Sequence, residues 1–144
     1  MLSFDTNIAV HAANTTSPLH QSAYDFIASL GARGDVGVCE LMLVELYLKL
    51  RNEKIFTTPM TASQAAAVCQ TYRRNRSWML IDSAPVMQEV WGLSSGRAFA
   101  VRRIIDARLA LTLIHHGVQE FATTNLKDFQ GFGFGRVWNP LSGD

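Results

Sequence analysis

The sequence carries almost no net charge: Lys and Arg total 13, Asp and Glu total 12, and the formal balance is +1 over 144 residues. No global basic field therefore draws a polyanion to it, and nucleic acid has to be met by local patches. Cysteine is scarce. Cys39 and Cys69 offer no Cys-x-x-Cys spacing and no disulfide framework, and each reads as a buried free thiol. No run approaches the roughly 20 apolar residues of a membrane span. The first residues lack the basic region of a secretory signal, and Asp5 interrupts their apolar run. A cytoplasmic protein with no membrane association is the expectation. A Gly-x-x-x-x-Gly-Lys loop is missing. Gly131-Phe-Gly-Phe-Gly135 does not lead from a strand into a helix in the dinucleotide manner and reads as a loop. His115 and His116 are adjacent, so they project from different faces of a helix and make a poor zinc pair.

What is present suits one globular domain over residues 1–144: 48% of residues are hydrophobic and 17% are charged. No linker or internal repeat interrupts it. Leu2 to Phe4 is a short buried strand. Ser17-Pro18 predicts a helix start, Ser as N-cap and Pro in the first helical position, with Gly31 closing the helix. Val36 to Cys39 is a second strand. Leu41 to Leu50 is apolar almost all round and predicts a helix buried on more than one side. Thr61-Ala-Ser-Gln64 fits a capping box, opening a helix to about Arg76. Trp78 to Ile81 is a third strand. Asp82 or Ser83 is expected to cap the next helix, with Pro85 in its first turn and Val86, Met87, Val90 and Trp91 on its apolar face. After a break from Gly92 to Gly96, helix resumes near Phe99 or Arg103 and stops at Gly117. Phe121 to Thr123 is a fourth strand, and Arg136 to Trp138 a last short one. Strands alternating with helices predict an α/β fold, a mostly parallel sheet covered on both faces.

Most acids fall on solvated helix surfaces. Four do not. Asp5 ends a strand, where a ligand edge of an α/β sheet lies. Its plain alternative is to cap the following helix. Glu45 sits inside Leu43-Val-Glu-Leu-Tyr-Leu48, where an unpaired charge is costly. Asp106 sits in Ile104-Ile-Asp-Ala-Arg-Leu-Ala110, where Arg102, Arg103 or Arg108 would be its local partner. Asp128 follows the fourth strand and has a turn or cap as its plain role. Carboxylates brought together repel one another, and burial raises their pKa values. A hard divalent cation, Mg²⁺ or Mn²⁺, resolves that conflict with oxygen ligands.

The ordered set Asp5-Thr-Asn7, Val44-Glu-Leu-Tyr47, Ile105-Asp-Ala-Arg-Leu-Ala110 and Thr123-Thr-Asn-Leu-Lys-Asp-Phe129 resembles a PIN domain. The size and the closing Asn139-Pro140 resemble the VapC-type toxins of bacterial toxin–antitoxin pairs. The resemblance spans nearly the whole chain. It implies a three-layer α/β/α sandwich, a Mg²⁺- or Mn²⁺-dependent endoribonuclease, a homodimer, and inhibition by a cognate VapB-like antitoxin. Carried over by position, Asp5, Glu45 and Asp106 are the metal carboxylates. At the fourth position many members have Thr-x-Asp, and here that acid is Asn125, with Asp128 three residues on. Either Asp128 completes the set or the site carries one charge fewer. Thr6, Asn7 and Thr123 are expected to orient ligands or waters. Arg102, Arg103, Arg108 and Lys127 are the candidate contacts to RNA or to an antitoxin acid.

Four rivals are weighed at this level. A haloacid-dehalogenase phosphohydrolase needs a second Asp where Asn7 stands, and a receiver module needs a second acid near Asp5. A PIN fold that has lost catalysis, serving only as a partner-binding scaffold, draws on Asn125. A housekeeping PIN nuclease is the alternative enzyme.

Overall fold

Twelve elements follow in the computed structural model, which describes residues 1–142. They run β1 (Leu2–Phe4), α1 (Thr6–Ala13), α2 (His20–Leu30), β2 (Gly37–Cys39), α3 (Glu40–Leu50) and α4 (Ala62–Arg73). The second half is β3 (Met79–Ile81), α5 (Met87–Ser94), α6 (Arg103–His115), β4 (Glu120–Ala122), α7 (Leu126–Phe129) and β5 (Arg136–Trp138).

Every strand pairing is parallel. β1 pairs with β4 and β4 with β5, while β2 pairs with β3. A single parallel bridge, Leu2 to Val36, joins the two groups. The resulting order is β3-β2-β1-β4-β5. The three inner strands are fully buried apart from Glu120, and such residues leave no alternating polar face. The chain steps outward from β1 to β2 to β3, then crosses back to β4 and steps on to β5. Right-handed crossovers place α1–α4 on one face and α5–α7 on the other. The direction reverses between β1 and β4. Open parallel sheets bind ligands outside the carboxyl ends of the strands at such a reversal.

The main core gathers Phe4, Ile8, Leu30, Met42, Leu46, Leu50, Ile81, Leu109, Leu113 and Phe121. A second cluster, Val86, Val90, Ala107 and Leu111, fastens α5 to the outer side of α6. The expected capping box at Thr61 and Gln64 is complete in both directions. Gly117 ends α6 at φ +90°, a conformation that favours glycine.

Several local expectations change. Pro18 lies in a turn, and α2 begins at His20. Ser17 caps that turn instead: its Oγ accepts from the Leu19 N–H at 3.1 Å. Gly31 stays in the right-handed helical region, so it closes α2 without any glycine-specific geometry. Neither Asp82 nor Ser83 caps α5. Pro85 precedes the helix, which opens after Val86. α4 ends at Arg73. α3 is not buried all round, since Val44 and Leu48 are 58% and 62% exposed. Trp91 faces outward as well, at 58% exposure.

Candidate active site

Asp5 follows β1 directly, and its backbone N–H donates to the Ala122 carbonyl at the end of β4. It therefore sits at the reversal of the sheet. It occupies the N-cap position of α1 yet makes no capping hydrogen bond through its side chain. Capping is thus not what fixes this side chain. Its carboxylate instead accepts from the Thr123 hydroxyl at 2.8 Å, deep in the protein. Thr123 Oγ1 in turn accepts from the Asn125 N–H at 2.9 Å. One hydroxyl, fully buried, fixes both the acid and the start of the next turn.

Glu45 comes from α3, half-buried. The Thr6 hydroxyl lies 3.5 Å from its Oε2 and 3.4 Å from the Met42 carbonyl, long contacts that tie α1 to α3. Asp106 comes from α6. It lies in the first turn rather than the helix interior, where peptide N–H groups and the helix dipole favour an acid.

The electrostatics oppose that preference. Burial pushes the Asp106 carboxyl up to about 7, and the charges of Asp5, Asp128 and Glu45 add to the effect. Burial also raises Asp5, against the Thr123 hydrogen bond, the Lys49 charge and the nearby N–H groups of Thr6 and Asn7. Burial raises Glu45 too, with Asp5 adding and Lys49 and Thr6 opposing. The acids thus share one field although they come from three separate elements and a turn.

Asp128 contributes to that field more strongly than Glu45 does at Asp106. It is exposed on α7, a one-turn helix the sequence reading took as a turn. Asn125 is the exposed N-cap of that helix and makes no side-chain cap bond.

Arginine does not neutralise the acids. Among the described residues, none of Asp5, Glu45, Asp106 or Asp128 has an ion pair, and the pairs present are Arg33–Asp35 and Arg73–Glu40. The contrast with Glu40 is instructive. It also follows a strand, and Arg73 holds it at 2.7 Å. Arg103, expected as a partner of Asp106 or of RNA, turns to the Gly131 loop. It donates to the Gln130 carbonyl at 3.3 Å, with its guanidinium 4.8 Å from the centre of the Phe132 ring. Arg102, Arg108 and Lys127 are exposed.

Lys49 was not singled out from the sequence. It stands one helical turn after Glu45 on α3, the spacing at which side chains share a face. Its Nζ donates to Asn7 Oδ1 at 2.7 Å. The available signal was that spacing alone.

The donor set is all oxygen and carries several negative charges, which fits a hard divalent cation. Among the described residues, no three carboxylate, imidazole or thiolate groups form a ready-made cage. Mg²⁺ does not require one: it usually keeps several waters and takes one or two carboxylates.

The chain is a doubly wound parallel α/β domain with unpaired acids at its sheet reversal. Over 144 residues, 100% of this chain and 99% of the relative, the sequence is 54% identical to Ribonuclease VapC24 in two strains of Mycobacterium tuberculosis. The solved structure of Mycobacterium tuberculosis VapC20, titled a sarcin–ricin loop cleaving toxin, aligns with a TM-score of 0.64. That match covers 84% of this chain and 87% of the other at 16% identity, and it shows the fold. No family model matches the sequence. The chain belongs to the VapC ribonuclease family of PIN-domain proteins.

Thr123→Val removes the hydroxyl that both holds Asp5 and accepts from Asn125. Loss of such an orienting partner is expected to lower activity about 10–100-fold. Thr123→Ser should restore most of it. Cleavage rates of the three proteins at matched helix content check this.

Proposed function

We propose that the chain is a Mg²⁺- or Mn²⁺-dependent endoribonuclease and the toxin of a toxin–antitoxin pair. The observation that supports this most directly is the set of unpaired acids at the sheet reversal: Asp5 between β1 and α1, Glu45 from α3 and Asp106 from α6. Family membership through the VapC24 relative supports the ribonuclease chemistry. Asp5, Glu45 and Asp106 would hold the cation, directly or through waters, with Asp128 supplying the further negative charge that Asn125 lacks. A divalent cation supplies charge neutralisation at the phosphate and a more acidic water for in-line attack. Thr123 keeps Asp5 aimed, and Thr6 keeps Glu45 near it. The scaffold alternative, resting on Asn125, weakens because Asp128 acts on Asp106 from the same turn.

Partner surfaces are part of the proposal. Val44 and Leu48 on α3, Trp91 and Leu93 on α5, and Ile105 on α6 are exposed apolar side chains. They fit a homodimer face and a site for a VapB-like antitoxin helix. No helix of the described residues is long and apolar enough to cross a membrane. A cytoplasmic site of action is part of the same reading.

The test is purified protein incubated with single-stranded RNA and Mn²⁺ or Mg²⁺. Internal cleavage is expected, and EDTA should abolish it until metal is returned. Cleavage that persists undiminished in EDTA would overturn the metal-dependent mechanism.

A further inference from the structure

Lys49 is the cation nearest in effect to the site, yet it does not neutralise the acids by contact. Its charge opposes the raised pKa of Asp5, Glu45 and Asp106 alike. Among the described residues it forms no ion pair with any of them. Asn7 holds it instead, through a 2.7 Å bond to its side-chain carbonyl. Asn7 is two residues from Asp5 on α1, and Lys49 is one turn from Glu45 on α3. The bond therefore bridges the same two helices as Thr6 does. An ammonium has three donors. Among the described residues Asn7 takes one, and no other side-chain hydrogen bond holds the rest.

We propose that Lys49, held by Asn7, contacts a phosphate of the bound RNA beside the acids. The inference rests on the ribonuclease reading above. An ammonium standing in for the metal would sit on the carboxylates; this one is drawn off them by an amide oxygen that carries no charge. An RNA backbone approaching unpaired acids meets repulsion, and a fixed cation at the rim offsets it. Two arginines are engaged elsewhere: Arg103 donates to the Gln130 carbonyl, and Arg73 pairs with Glu40. Asn7 thereby acts as a positioning residue for Lys49.

The experiment uses a labelled mixed-sequence single-stranded oligoribonucleotide, with Asp106→Asn as a background that leaves the probe uncut. Binding is followed against salt in Mn²⁺. Lys49→Met keeps the apolar stem and removes the ammonium. It is expected to weaken binding about ten-fold, the loss of one charge-assisted hydrogen bond. The slope of log affinity on log salt should fall by about 0.7, one phosphate contact on a single strand. Lys49→Arg should keep the slope. Asn7→Ala leaves the ammonium without its holder and should weaken binding in the same direction by less, and it reads the proposal if Lys49→Met fails to fold. In the cleaving protein, Lys49→Met should raise KM more than it lowers kcat. Mn²⁺ affinity, read by thermal shift, should not tighten. Unchanged binding and slope in both variants overturns the assignment. Tighter Mn²⁺ binding with an unchanged slope also overturns it, and makes Lys49 a competitor of the metal. A parent chain that never cleaves RNA with Mn²⁺ removes the ribonuclease reading itself. A parent that cleaves, with Lys49→Met indistinguishable from it, removes only the phosphate contact.

Discussion

Asp106→Asn is expected to lower RNA cleavage by at least about 10²–10³-fold, the scale of losing one group that stabilises charge at the reacting phosphate. The fold should survive. Asn is nearly isosteric with Asp, and Asp106 holds no ion pair or side-chain hydrogen bond among the described residues whose loss would open the core. The substitution also lifts a repulsion, because Asp5, Asp128 and Glu45 all press on this carboxyl. Activity and stability therefore move in opposite directions, which separates this residue from an ordinary structural acid. Cleavage assays beside circular-dichroism melts read both. A variant with parental metal-dependent activity would sink the assignment of Asp106.

The second large effect is on pH and metal together. An acid with a folded pKa above its unfolded value keeps its proton more tightly when folded. The folded state is then penalised above the folded pKa, and the penalty fades as pH falls through it. For Asp106 that window runs down from about 7 toward 3.8. Asp5 and Glu45 are raised as well, so they act with the same sign. His11 works the other way. Burial lowers its pKa from 6.5, so acid destabilises the fold through it. Comparing Asp106→Asn with the parent cancels His11. Without metal, the variant should melt above the parent at about pH 8, and the gap should close toward about pH 5 as Asp106 takes up its proton. Adding Mn²⁺ at the higher pH should reverse the order, since the parent gains a bound cation and the variant gains less. The same proton blocks metal binding, so the Mn²⁺ stabilisation of the parent should decline below about pH 7. A gap that stays constant with pH would show that Asp106 does not titrate in this range.

Much of this was legible in the chain because burial leaves a compositional trace. Gly37 to Cys39 and Phe121-Ala122 are short apolar runs without alternation, as strands covered on both faces must be, and Leu2 to Phe4 departs from this only at the small Ser3. Thr61 and Gln64 are a local signal and need no tertiary context. Asp5, Glu45 and Asp106 stood out as acids in apolar surroundings, and the fold gathers them into one field. What escaped depends on tertiary geometry. α7 has four residues, too few for a periodic pattern. Composition marks the segments Leu41–Leu50 and Val86–Trp91 as more apolar than a core must bury, but only packing picks out Val44, Leu48 and Trp91 as the side chains that nothing among the described residues covers. Arg103 sits three residues from Asp106, yet the ring of Phe132, from a distant segment, takes its guanidinium, with Phe99, four residues before it, beside the same group. Lys49 needed the contact between α1 and α3 to acquire meaning.

The bond from Thr123 to Asp5 closes a loop of 118 residues, and β1 finds its three-residue ladder partner in β4. A ribosome emits the first strand long before the fourth exists. At roughly 5–20 residues per second, that delay is on the order of ten seconds. Throughout it, Asp5 is an ordinary carboxylate on an unfinished chain. The arrangement around Asp5 cannot form piecemeal as the chain emerges, because the hydroxyl that holds this acid is made 118 residues later. Until Thr123 has emerged, nothing aims Asp5, and whatever this edge of the sheet does must wait for it.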